Sequence, residues 1–106
     1  MALRHCVCVN FKPDATDEQK RVMVEKLQEF FPKVDHLLTD EFGPKWNIGF
    51  DEKLLEGNAE FQISVNLKGS AEYQEYHHGA AHQELVANYI RPILQSRMAC
   101  QVRLGV

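Results

Sequence analysis

A chain of 106 residues suits one domain spanning 1–106, with a core that is adequate but not generous. Apolar residues make up 44% and charged residues 25%, and the formal charge of −3 is spread along the chain. That pattern argues against nucleic acid as a partner, no apolar stretch approaches a membrane span, and the opening "MALRHCVCVNF" is too broken for a signal core.

The cysteines are Cys6, Cys8 and Cys100, with no CxxC spacing, which reads as reduced thiols in a cytoplasmic protein. Residues 3–11, "LRHCVCVNF", alternate: His5, Val7, Val9 and Phe11 point one way, and Arg4, Cys6, Cys8 and Asn10 the other, as in a strand. Thr16 and Gln19 form a capping box, and Asp17 and Glu18 favour a helix start. Met23, Leu27 and Phe30 or Phe31 recur at helical spacing, and Pro32 is expected to stop that helix. Val34 to Phe42 reads as an irregular strand. Residues 43–58 read as a long loop in which Trp46 is either a lid or a dimer contact.

Residues 60–67, "EFQISVNL", alternate again, with Phe61, Ile63, Val65 and Leu67 opposite Glu60, Gln62, Ser64 and Asn66. Ser70 is expected to cap a short helix over 71–77, which Gly79 interrupts. A second helical segment carries Leu85, Val86, Tyr89, Ile90, Ile93 and Leu94 on its apolar face, with Pro92 bending or restarting it. Residues 98–104, "MACQVRL", alternate as a last strand.

The order strand, helix, strand, strand, helix, strand predicts an α+β, ferredoxin-like βαββαβ fold with a four-stranded antiparallel sheet. Helices cover one face. The other carries Cys6, Cys8, Gln62, Ser64 and Asn66, too small and semi-polar for a dry core. Pairing two such faces in a homodimer would cover them.

Three stretches, "RHCVCVNFKPDATDEQK", "FFPKV" and "EYQEYHHGAAHQEL", together resemble the stress-responsive dimeric α/β-barrel (Dabb) family. The resemblance implies a homodimer in which two ferredoxin-like sheets face each other as a barrel. It also points to the family's cofactor-free plant polyketide cyclases, of the olivetolic acid kind, which use a tyrosine and a histidine as an acid–base pair. By position that pair is Tyr76 and His82, and the strand histidine is His5. The chain departs from the family pattern at His78-Gly79-Ala80, where the family has His-Pro. "ACQVRLGV" lacks an aspartate often found there, and the segment 43–58 is not family-typical.

Residues 72–85 hold three of the five histidines and two of the three tyrosines. His78 and His82 have the i, i+4 spacing of a metal face, but Gly79 breaks the helix between them, so neither metal nor cofactor is expected. His77 and His78 read as exposed at a helix junction. An apolar wall and a helix start would keep His82 neutral and ready as a base, with Tyr76 donating to a carbonyl oxygen. The competing reading makes His82 a core histidine bonded to Tyr76. Val7, Val9, Met23, Phe61 and Ile63 form either an apolar binding wall or plain core, with Tyr73 closing the cavity and His5 orienting the ligand. Cys6 and Cys8 have no cationic neighbour to make them nucleophiles.

These features favour a cofactor-free, cyclase-type enzyme acting on a small hydrophobic, polyketide-like carbonyl ligand. A non-catalytic stress-response protein stabilised by oligomerisation and a cofactor-free monooxygenase are the rival readings.

Overall fold

The computed structural model describes residues 1–52 and 54–105. Strands β1 (Leu3–Phe11), β2 (Trp46–Phe50), β3 (Phe61–Leu67) and β4 (Leu94–Arg103) form one antiparallel sheet in the order β2-β3-β1-β4. Helices α1 (Asp17–Phe30), α2 (Ser70–His78) and α3 (Ala80–Leu85) belong to the layer over one face. The order is βαββαβ, and the fold is ferredoxin-like, as the periodicity predicts.

Alternation fixes what each face of the sheet carries. On β1, Leu3, His5, Val9 and Phe11 are buried, and they pair with Leu67, Val65, Phe61 and Leu94. Met23 and Leu27 of α1 and Phe31 beyond it close over this surface with exposures of 0%, 2% and 0%, so the core lies between the sheet and α1. The capping box forms as expected: Gln19 N–H donates to Thr16 Oγ1 (3.1 Å), and Thr16 N–H donates to Gln19 Oε1 (2.9 Å).

Several boundaries differ from expectation. Pro32 does not end the helical path. It sits at the first turn of a 3-10 segment, Phe31–Leu37, where its missing N–H costs nothing. The second strand is not within 34–42 but at Trp46–Phe50, inside the expected loop. Lys53 of that loop lies outside the described residues. Trp46 is therefore neither free lid nor loop: it pairs with Val65 and stacks on Phe31 (4.4 Å, 17°).

Ser70 makes no capping bond, because Gly69 occupies the cap position of α2. The second helical run is shorter than expected. After α3 it passes through a π-helical turn (Val86–Ile90) and a 3-10 turn (Arg91–Ile93) that holds Pro92, so Leu94 already belongs to β4.

The open face of the sheet carries Cys6, Cys8 and Ser64 of the two central strands and Met98, Cys100 and Val102 of β4. Met98 and Val102 are 75% and 52% exposed, large apolar side chains with nothing over them. Asn66 shares this face but is covered, being only 3% exposed. It accepts from Arg4 Nε (2.9 Å) and donates to the Pro44 carbonyl (2.9 Å), and this pins the segment before β2 across the sheet.

Candidate functional site

A cavity of about 470 Å³ lies between β1, β4 and the segment from α2 to β4. Its size suits a small organic ligand. The sheet supplies His5, Val7, Val9 and Ile63, and the helical layer supplies Tyr73, Tyr76 and His82. Those seven expected site residues thus meet around one cavity. Met23 and Phe61 do not: both are sealed in the core, at 0% and 1% exposure, away from the cavity surface. They alternate correctly for a cavity wall, but the core closes over them first.

The path of the chain explains the cluster. Gly79 ends α2 and begins α3 in an extended conformation (φ −63°, ψ 145°). A Cβ there would stand 3.0 Å from the Glu75 carbonyl, so the turn favours glycine by close approach rather than by left-handed backbone. The turn brings the His82 ring 5.1 Å from Tyr76, 5.4 Å from His77 and 6.0 Å from Phe30. Across the cavity, the His5 ring lies 5.1 Å from Tyr73 and 6.0 Å from Tyr76.

Hydrogen bonding separates the roles of the two imidazoles. Gln101 Nε2 donates to His5 Nδ1 (2.8 Å), so the neutral ring carries its proton on Nε2 and is a donor there. His82 Nδ1 is buried without a partner among the described residues. The nearby His77 carbonyl accepts from Gln83 Nε2 (2.8 Å) instead. His82 Nε2 is not sealed in this way, and it is the ring nitrogen left to meet a ligand. Among the described residues, no carboxylate is hydrogen-bonded to His82, unlike the histidine of a triad.

Burial lowers the His82 imidazole from 6.5 to about 4, helped by His77 and, least of all, by the Arg97 guanidinium, while the His77 carbonyl opposes the fall. His5 is lowered to about 4 for the same first reason, with His82, His77 and Arg97 adding to it. The dominant cause for His82 is burial, the apolar wall that the sequence suggested, and the helix start is not among the causes. Burial also raises the Tyr76 phenol well above its ordinary 10, with Tyr73 adding to it. At neutral pH the cavity therefore holds two uncharged imidazoles and an uncharged phenol. Tyr76 and His82 touch as rings without a hydrogen bond between them, so the core pairing considered from sequence does not form.

His77 is not the exposed bystander its position suggested. It is half-buried and lines the cavity, whereas His78 is exposed. The sequence reading also missed Arg91, Arg97, Gln83 and Gln101, all of them lining residues. Arg97 and Gln101 carry a signal, since they alternate on the last strand, but reading it needs the register. A bulge supplies that register: Phe11 pairs with Leu94 and Asn10 with Ser96, leaving Gln95 extra on β4. The bulge resets parity, so that Leu94 and Arg97 both face the cavity. Among the described residues, no group of three or more His, Cys, Asp or Glu side chains is placed to hold a metal ion.

Residues 3–103 match the model of the stress-responsive A/B barrel domain, Dabb. The chain belongs to the Dabb family. A comparison with curated proteins gives no match. Among solved structures, the Dabb chain resembles a dimeric ferredoxin-like protein of unknown function from Thermobifida fusca at 24% identity, covering 98% of this chain and 92% of that one, with a TM-score of 0.84. It is also similar to a Dabb family protein from Mesorhizobium loti (14% identity, 98% of both chains, TM-score 0.77). A third similar structure is a hydroxynitrile lyase from Passiflora edulis (10% identity, 99% and 96% of the chains, TM-score 0.79). At these identities the likeness concerns the fold of this Dabb protein, and its chemistry has to be argued from its own side chains.

Proposed function

We propose that this protein is a cofactor-free enzyme that moves a proton on a small carbonyl ligand, working as a homodimer. The observation that carries the reading is the cavity that joins an uncharged His82, an uncharged Tyr76 and the Nε2–H donor of His5. In the proposed step, His82 Nε2 takes a proton from the carbon next to the carbonyl. The C–H electron pair becomes the C=C bond of an enolate, and the carbonyl oxygen gains the negative charge. Tyr76 O–H and His5 Nε2–H donate to that oxygen. The imidazolium then returns its proton to the product. Where the ligand holds a second carbonyl, the enolate carbon can attack it, which gives the polyketide-type cyclisation as the sharpest form of the proposal.

Two further observations support the reading. The cavity lies beside His82, where a purely structural protein would have closed core. The Passiflora edulis lyase is an enzyme on a similar fold, although at 10% identity it lends no substrate. The homodimer rests on exposed Met98 and Val102 of the open face and on the dimeric description of the Thermobifida fusca protein. Reduced Cys6, Cys8 and Cys100 fit a cytoplasmic setting.

Native mass spectrometry after equilibration with acetophenone tests the binding half of the proposal. One ketone retained per subunit is expected, and none after Ala99→Trp, which fills the cavity from the exposed edge strand. Equal retention in both proteins, or none in either, would overturn it.

A further inference from the structure

The cavity has an electrical asymmetry that the proton-transfer reading does not use. Its lining contains two arginines, Arg91 and Arg97, and no aspartate or glutamate. The chain as a whole carries a formal charge of −3, so this concentration of positive charge runs against the sign of the molecule. Arg91 sits in the 3-10 turn just before β4. Arg97 pairs with Val9 across β1–β4 and shares the cavity side with Val9, Val7 and His5. It lines the same cavity as His5 and His82, and its charge is the smallest of the influences that lower the two imidazoles.

Neither arginine takes part in an ion pair or side-chain hydrogen bond among the described residues. Of the three other arginines, Arg4 is held by Asn66 and the Phe42 carbonyl and Arg21 by Glu18 and Glu25, while Arg103, near the chain end, makes no such contact among the described residues. Both arginines are exposed at the cavity, so their donors face solvent in the free protein and are open to an anionic group of a ligand. Guanidinium pairs bidentately with carboxylate or phosphate oxygens. Much of the remaining lining is aliphatic, with Leu27, Ile63, Leu85, Val86 and Ile90 among its members.

We propose that Arg97, with Arg91 at the rim, selects a ligand that carries an anionic oxygen group, carboxylate or phosphate, at the opposite end from an apolar body. This names the substrate class of the proton-transfer site and rests on that reading of the cavity. The anion has a second consequence for the chemistry. Bound at Arg97, it cancels the positive charge that His82 feels in the empty cavity. The imidazole then becomes a stronger base at the moment a substrate is present.

Three probes differing in one substituent separate the possibilities: acetophenone, para-acetylbenzoate and para-acetylphenyl phosphate. Their affinities are measured by calorimetry on the wild type, Arg97→Gln and Arg97→Lys, with the His82 imidazole signals followed by NMR. An anionic probe should bind roughly ten- to a hundredfold more tightly than acetophenone, the span of a charge-assisted bidentate contact. Arg97→Gln should abolish that advantage, read as the ratio of anionic-probe to acetophenone affinity within the same variant, and Arg97→Lys should restore part of it. The His82 signals should move towards the protonated position only with the anionic probe. The better of the two anions identifies carboxylate or phosphate as the group read. Equal binding of all three probes overturns the inference and leaves the ketone site standing. No binding by any probe overturns both.

Discussion

Acidification should unfold this protein through His5 and His82 before it does so through its carboxylates. Both imidazoles are lowered from 6.5 to about 4 by burial and by their cationic neighbours. A histidine lowered in the folded state binds protons more readily once unfolded. Between pH 6.5 and 4 the unfolded chain therefore takes up protons that the folded chain refuses, and stability falls as pH falls. Above 6.5 both states are neutral and the contribution is complete. Below about 4 both states are protonated and nothing more is lost from these two groups.

A shift of about 2.5 units corresponds to at most about 3.4 kcal/mol per ring. Both rings border a cavity that admits water, so screening reduces this, and the pair should contribute roughly 2–4 kcal/mol. That is a large share of the ~5–15 kcal/mol of a typical domain. Glu18 and Asp35 are lowered in the folded state by Arg21 and Lys45, so their contribution is lost only below the ordinary carboxylate range, under the histidine window. Urea denaturation at intervals from pH 7.5 to 4.5 measures the loss directly, and His82→Leu should flatten the slope by about half. Stability that stays level from pH 6.5 to 4.5, or imidazole NMR signals of His5 and His82 that titrate near 6.5, would refute the reasoning.

Other consequences are more local. Asn66→Ala removes the acceptor of the Arg4 guanidinium and the donor to the Pro44 carbonyl, and should cost roughly 1.5–3 kcal/mol in denaturant titration with no change in ligand affinity. Met98→Glu places an unpaired charge on the open sheet face, as does Ser64→Asp. Either should shift sedimentation from dimer towards monomer, and an unchanged dimer would move the interface elsewhere. His77→Ala removes a neighbour that lowers both other imidazoles, so the His82 titration should move upward towards 6.5, whereas His78→Ala, at an exposed position, should leave it in place.

The fold was legible because its strands and helices announce themselves by period. "LRHCVCVNF" and "EFQISVNL" alternate cleanly, and Thr16 with Gln19 marks a helix start by its own hydrogen bonds. β2 was not legible. Its five residues, "WNIGF", are too few for alternation to stand out, and the strand is held by Trp46 stacked on Phe31 and by Phe50 packed at a tilt on Phe61, contacts outside the strand itself. Asn66 escaped for the same reason, since its partners Arg4 and Pro44 are brought by the fold.

Within the cavity, residues next to one another in sequence were easier to find than those joined by register. Tyr76 and His82 stand out inside one short stretch, whereas the side that Arg97 faces is settled by its pairing with Val9, a register between strands distant in sequence. Met23 and Phe61 show the converse. Periodicity tells which side a residue faces, and packing decides whether that side is core or void.

The most direct measurement is the rate at which the protein exchanges the methyl protons of acetophenone with D2O, followed by NMR and normalised to folded molecules. The cavity account predicts acceleration by the wild type and by His78→Ala alike. His82→Ala should lower the rate by roughly two to four orders of magnitude, as for a lost general base. Tyr76→Phe should lower it less, since one hydrogen bond is removed with little change of shape. Equal exchange per folded molecule in wild type, His78→Ala and His82→Ala would contradict the claim that His82 is the base.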